Sequence, residues 1–296
     1  VEASERHTQF QLGWFLYPIV TGDYPPLMKE YAAENLPNFT AEESASLQGS
    51  YDLLMLNHYS SFLVTDCDSP TSTVSCDGMN PGWYRDLGLD TSRFPEGSRL
   101  SGTNSKGERN CGWFSGYPAG YLEVIRWAHR QDPTTEILLT ENGWCGNETI
   151  ENYDQLWYYH SYMGEVLNAI EEGIPIIGYT AWSLLDNYEW GSFEPRFGLF
   201  YVDYPDQGVG SPYGYLPEPQ DLQRIPRPAA HLIAYVAQTG CLPGDANSTV
   251  ISVKLEKKSE SPWYFRYIVF ALLCTMFYIF YKIATTQWHS HGYHRI

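Results

Sequence analysis

The stretch Ile137-Leu138-Leu139-Thr140-Glu141-Asn142-Gly143-Trp144 constrains this chain more than any other. Three consecutive aliphatic residues suit a strand buried on both faces, and the run stops abruptly at polar residues and a glycine. A carboxylate, Glu141, is thereby delivered to the C-terminal tip of a buried strand, where it is desolvated on one side and needs hydrogen-bond partners. Two roles compete for it. One is a structural carboxylate satisfied at a strand end. The other is a catalytic group, because the C-terminal strand tips of a parallel α/β barrel face the active-site mouth.

The same pattern recurs along the chain. Tyr51 to Leu56 reads as a buried strand tipped by Asn57-His58-Tyr59-Ser60, and Ile174 to Ala181 as another, tipped by Trp182 through Trp190. Helical periodicity separates them. Ala3, His7, Phe10 and Trp14 mark an amphipathic helix that Tyr17-Pro18 and Gly22-Asp23-Tyr24-Pro25-Pro26 should end. Thr40 with Glu43 forms a capping box for a short helix reaching about Gln48 and stopping at Gly49. Tyr121 to Arg130 places Leu122, Ile125 and Ala128 inward. Asp154 to Glu172 places Leu156, Met163, Val166, Leu167 and Ile170 on one face, with Gly173 to end it. Pro228 to Gln238 is a last helix before Gly240, whereas Cys67 to about Gly116 has no periodicity and reads as one long loop. Strands alternating with helices imply a parallel sheet, and the polar or aromatic tips are what a (β/α)8 mouth requires. The expected class is α/β, the C-terminal part of a TIM barrel.

Composition narrows the setting. A formal charge of −17 excludes polyphosphate binding, which needs clustered Lys and Arg, so no nucleic acid is expected as a partner. The acidity is also what a soluble extracellular surface carries. Sequons at Asn38, Asn147 and Asn247 point the same way. Cys67 and Cys76 flank a Ser/Thr/Asp/Pro loop and suit a small disulfide ring. Cys111, Cys145 and Cys241 make the count before the apolar run odd, so one thiol is free or its partner lies elsewhere. No Cys or His cluster has zinc spacing, and no metal or other cofactor is expected. Trp263 to Tyr281 is almost unbroken apolar and long enough to span a bilayer, with Arg266 able to snorkel to the interface. The expected organisation is a body over 1–243, a juxtamembrane linker over 244–262, a transmembrane helix over 263–283 and a short cytoplasmic tail over 284–296. Lys254, Lys257, Lys258 and Arg266 before the span argue for the opposite orientation. The sequons and cysteines outweigh them, because a large domain translocates despite flanking charge, and a single-pass type I topology with the body extracellular or luminal is expected.

Several motifs carry a resemblance. Thr140-Glu141-Asn142-Gly143 resembles the nucleophile motif of glycoside hydrolase family 1, the β-glucosidases and β-galactosidases. Ala181-Trp182-Ser183-Leu184-Leu185-Asp186-Asn187-Tyr188-Glu189-Trp190, followed by Arg196-Phe197-Gly198-Leu199, resembles the signature after that family's last barrel strand. Gly13-Trp14-Phe15 with Pro18, Gly22-Asp23-Tyr24-Pro25 and Asn57-His58-Tyr59-Ser60 are similar to its middle motifs, in the same order. The resemblance implies a retaining β-glycosidase acting on β-glycosides. Glu141 would be the nucleophile that forms a covalent glycosyl-enzyme. Tyr59 would approach that carboxylate, Glu189 would accept from sugar hydroxyls, Trp190 would add an indole donor and Trp182 a stacking face, with Asn57 at the site edge.

One departure stands against this. A retaining glycosidase needs a second carboxylate about 5–5.5 Å from the first. The family's Asn-Glu-Pro acid/base motif belongs before residue 1 and occurs nowhere here; Asn147-Glu148-Thr149 follows Glu141 and is in the wrong place. With Val at position 1 and no signal peptide, upstream sequence is expected to be missing, leaving the last three of eight strands and a fragment inactive alone. The alternative is a non-catalytic, membrane-anchored relative that binds glycans or proteins.

Overall fold

The computed structural model describes residues 2–202, 204 and 222–245. The expected transmembrane helix over 263–283, the tail 284–296, Asn247 and all but the first two residues of the linker over 244–262 lie outside them. Among the described residues no helix is long and apolar enough to cross a membrane.

The opening helical segment is longer than expected. Helix α1 (Glu2–Thr8) passes through a π-helical turn (Gln9–Gly13) into α2 (Trp14–Thr21). Pro18 sits inside α2 and does not end it; the end comes at Gly22, whose left-handed φ of 80° suits a residue without Cβ. Helices α3 (Pro26–Ala32) and α4 (Ala41–Leu47) follow. The capping box on α4 forms as expected: the Glu43 N–H donates to Thr40 Oγ1 (3.2 Å), and the Thr40 N–H donates to Glu43 Oε2 (2.8 Å). Strand β1 (Leu54–Asn57) comes next.

The segment read as one long loop is partly ordered into elements. Strand β2 (Leu63–Asp66) pairs antiparallel with β3 (Leu89–Arg93), on either side of α5 (Trp83–Leu87), and β4 (Arg99–Leu100) pairs with β5 (Ser115–Gly116). These elements are too short to show periodicity. Local links stabilise them: a Cys67–Cys76 disulfide, and Asp90, whose carboxylate accepts from the Thr73 N–H, the Thr73 hydroxyl and the Ser92 N–H.

The βα alternation then proceeds as read. Helix α6 (Pro118–Gln131) buries Leu122, Ile125 and Ala128. Strand β6 is Ile137–Asn142, α7 is Tyr153–Glu171 and β7 is Ile176–Ala181. Strands β1, β6 and β7 form one parallel sheet in the order β1-β6-β7, so the strand carrying Glu141 is central. A hairpin of β8 (Phe200–Val202) and β9 (Arg224–Pro226) leads into α8 (Pro228–Thr239), which ends at left-handed Gly240.

Two burial expectations need correcting. The strands are not buried on both faces. Leu56, Ile137 and Leu139 pack with Ile125 and Tyr162 of the helices. By contrast, Met55 is 62% and Ile177 51% exposed, because no described residue covers that side of the sheet. On α7 Leu167 and Ile170 are exposed as well. The buried stripe runs through Leu156, Tyr159, Met163, Val166 and Ala169, and Leu167 and Ile170 each lie one residue, about 100° of helix, past it.

Candidate active site

All three parallel strands end at one rim. At the tip of β1, Tyr59 donates its phenol hydrogen to Glu141 Oε2 at 2.7 Å. Burial, and then the Glu141 carboxylate itself, raise the Tyr59 pKa far above that of free tyrosine, so the phenol stays a donor throughout the ordinary pH range. The Tyr59 ring is held edge-on by Trp113 (6.2 Å) and Phe197 (5.8 Å). Asn57 lies farther out and exposed, accepting from the Thr140 hydroxyl at 2.6 Å rather than meeting Glu141. His58, between them, donates its backbone N–H to the Glu141 carbonyl at 3.0 Å.

The tips of β6 and β7 meet at a point that only glycine permits. A Cβ on Gly143 would collide with the Trp182 carbonyl oxygen. That oxygen accepts from the Tyr159 hydroxyl at 2.8 Å, and the Trp182–Ser183 peptide bond is cis. The Trp182 indole N–H donates to Glu189 Oε1 at 3.2 Å. Burial raises the Glu189 pKa above the usual carboxylate value. Hydrogen bonds from Trp182 and Asn187 oppose the rise, and the Glu141 and Asp186 charges add to it. The Glu141 charge therefore reaches Glu189 across the rim. Trp190 stands apart. It occupies the crest of a tight turn closed by a hydrogen bond from the Glu189 N–H to the Ser192 carbonyl (2.8 Å), with φ of 52° at Trp190 and 138° at Gly191. Its side chain is 103% exposed and touches none of the other rim residues.

Below the rim lies an anchor that the sequence did not reveal. Asp186, fully buried, is gripped by Arg227 through two bonds (Nη1 to Oδ1 2.8 Å, Nη2 to Oδ2 3.0 Å) and also accepts from the Gly198 N–H at 2.9 Å. Arg227 further donates to the carbonyls of Thr149 (3.1 Å) and Asn147 (3.3 Å). Bidentate, desolvated pairing of this kind fixes geometry strongly. The signature contains Asp186, but nothing near Arg227 announces its partner 41 residues away. A second disulfide, Cys111–Cys145, ties the loop carrying Trp113 to the segment just after Glu141, and Cys241 is the free thiol among the described cysteines.

Of the sequons, Asn38 is exposed. The Asn147 side chain is engaged, its Nδ2 donating to the Thr103 carbonyl (3.1 Å) and its Oδ1 accepting from the Thr149 N–H (3.0 Å). Among the described residues no group of three His, Cys, Asp or Glu is placed to hold a metal ion.

Comparison with known proteins gives the chain its family and fold. The model of glycosyl hydrolase family 1 matches residues 1–231. Beta-glucosidase 42 of Arabidopsis thaliana is 36% identical over 212 residues, covering 68% of this chain and 41% of that protein. Myrosinase 1 of Brevicoryne brassicae is 32% identical over 218 residues, covering 70% and 43%. Among solved structures, aphid myrosinase superposes with a TM-score of 0.64 at 30% identity, over 81% of this chain and 48% of that one. A β-glucosidase of the fungus Humicola insolens in complex with glucose superposes at 0.61 and 28%, over 80% and 46%. The chain thus spans about two fifths of the length of the curated relatives it matches. With its α/β architecture, its ordered motifs and a match over most of its length, this chain belongs to glycosyl hydrolase family 1.

Proposed function

We propose that this chain is the nucleophile-bearing portion of a retaining β-glycosidase, β-glucosidase-like in substrate class, and that it supplies Glu141 while the acid/base carboxylate comes from the remainder of the barrel. The observation that carries this reading is the Tyr59 hydroxyl on Glu141 Oε2 at the tip of the central parallel strand. A phenol that stays a donor in the working range holds the neighbouring carboxylate oxygen in place, as attack on an anomeric carbon demands. Glu189, hydrogen-bonded by Trp182, is oriented to accept from sugar hydroxyls. Asn57 and Trp190 complete the sugar contacts from the edge of the site.

The reading extends to location. Two disulfides suit an oxidising compartment. With the sequons and the apolar run over 263–283, they support a type I anchor with the body extracellular or luminal, and glycans at Asn38, Asn147 and Asn247.

The decisive experiment treats the full-length protein with a 2-deoxy-2-fluoro-β-glucosyl inactivator and maps the adduct by peptide mass spectrometry. Label on Glu141, abolished in Glu141→Gln, is the expected result; label elsewhere, or none, overturns the assignment. The 296-residue chain alone is expected to turn over no nitrophenyl glucoside, because retaining hydrolysis needs two carboxylates.

A further inference from the structure

Asn142 ends strand β6, is fully buried, and has no part in the chemistry proposed above. Its surroundings nevertheless converge on Tyr59. The parallel ladder between β1 and β6 slips between Leu56 and Asn57, so that Asn57 stands opposite Glu141 instead of Thr140. Beyond the slip the two backbones exchange one more bond, from the His58 N–H to the Glu141 carbonyl. The carbonyls of His58 and Tyr59 then face the protein interior without a strand partner, and unpaired buried carbonyls are costly.

Side chains take both of them. Asn142 Nδ2 donates to the His58 carbonyl at 2.7 Å. The Tyr158 hydroxyl, on α7, donates to the Tyr59 carbonyl at 3.0 Å. The two side chains are joined, since Asn142 Nδ2 also donates to the Tyr158 hydroxyl oxygen at 2.9 Å. Asn142 Oδ1 accepts from the Tyr179 hydroxyl of β7 at 2.7 Å, and the Asn142 backbone carbonyl accepts from the Trp182 N–H at 2.8 Å. Both amide donors and the amide acceptor are in use. A carboxylate lacks the donors and an apolar side chain lacks everything, so this set of bonds is specific to an amide.

The peptide planes on both sides of Tyr59 are therefore fixed by the Asn142–Tyr158 pair. We propose that Asn142, acting with Tyr158, is a positioning residue that sets where the Tyr59 phenol meets Glu141 and locks the root of the Trp182 segment to the same point. The role in catalysis rests on the glycosidase reading above; the geometric claim about Tyr59 and Glu141 does not.

The test uses the full-length protein with 3-fluorotyrosine placed at position 59, read by 19F NMR at neutral pH. In the parent, Glu141→Gln moves the 59 resonance because the phenol donates to that carboxylate. In a Tyr158→Phe background the same substitution is expected to move it by less than half as much, a double-mutant coupling between residues that do not touch. Tyr121→Phe is the control. Its ring packs on Tyr162 at 5.3 Å, but its buried hydroxyl has no hydrogen-bond partner among the described residues, so the response should remain full. If Tyr158→Phe does not fold, Tyr179→Phe, which frees Asn142 Oδ1, replaces it with the same expectation. An undiminished response in the folded variant, or an equal loss in Tyr121→Phe, overturns the proposal. Once Glu141 labelling has established the activity, Tyr158→Phe is further expected to lower kcat by on the order of tenfold or more with KM nearly unchanged. Failure of that labelling removes the glycosidase reading and leaves the NMR result to stand or fall alone.

Discussion

The tip of β6 and the segment from Trp182 to Gly191 each present an acid beside an aromatic, yet they are held in opposite ways. Glu141 leaves a central strand with a neighbouring strand on either side, meets a phenol from one of them, and is followed by the fully buried Asn142. Glu189 and Trp190 sit at the far end of an excursion whose root is rigid and whose crest is free: Asp186 is locked by Arg227, while four residues later Trp190 has no cover at all. A site residue delivered by a strand inherits its position from backbone ladders. One delivered by a loop inherits its position from whatever pins the loop.

The largest expected effect tests the pinned root. Asp186→Ala leaves the Arg227 guanidinium buried without its carboxylate and should destabilise the chain by about 3–5 kcal/mol, measured by denaturant unfolding. If the loss is below about 1 kcal/mol, on the scale of exposed ion pairs, the root is not what holds the segment. The junction between the two regions comes next. Gly143→Ala drives a Cβ into the Trp182 carbonyl, which is backbone and cannot swing aside. Overpacking of this kind costs about 1–3 kcal/mol and should also separate Trp182 from Tyr159, detectable as a changed near-UV circular dichroism spectrum.

A third test concerns what lies beneath the β1 tip. His58 stacks on Tyr121 at 4.9 Å, its Nδ1 is buried without a partner, and burial lowers its pKa from 6.5 to about 4. A depressed folded-state pKa means that the unfolded chain takes up the proton first. The stability owed to neutral His58 is therefore whole above pH 6.5 and is lost as pH falls towards 4. At roughly 1.4 kcal/mol per pKa unit, the loss is at most about 3 kcal/mol across that window. His58→Phe should flatten this part of the stability–pH curve; an unchanged slope would assign it to other groups.

How much of this was legible beforehand follows the same division. The place of Glu141 at a strand tip was readable because a short, strongly patterned strand places its tip predictably; the approach of Tyr59 to that carboxylate was implied only by the family resemblance, and the α4 capping box was readable because all its parts lie within four residues. On α7 aliphatic character was no guide at Leu167 and Ile170, because Tyr158, Tyr159 and Tyr162 fill the core there. Met55 and Ile177 were expected to be buried because a run of apolar residues states a preference, not which other elements are present to satisfy it. Arg227 escaped because an ion pair across 41 residues leaves no local trace, and Asn142 because its partners come from β1, α7 and β7 at once.

The smallest expected effect separates a site residue from a structural one most cleanly. Trp190 holds a positive φ at the crest and is fully exposed, so it contributes no packing to lose. Trp190→Ala should change stability by less than about 0.5 kcal/mol. This tryptophan lies next to an acid whose carboxylate accepts from Trp182, so a sugar bound to that acid would lie within reach of the indole. In the full-length protein the same substitution should therefore raise KM for an aryl glucoside, or lower kcat/KM, while the melting temperature stays put. If Trp190→Ala instead lowers the melting temperature and leaves the kinetics untouched, the rest of the protein, and not a sugar, is what covers the crest, and the contrast between a strand-held carboxylate and a free loop crest collapses into one between two kinds of packing.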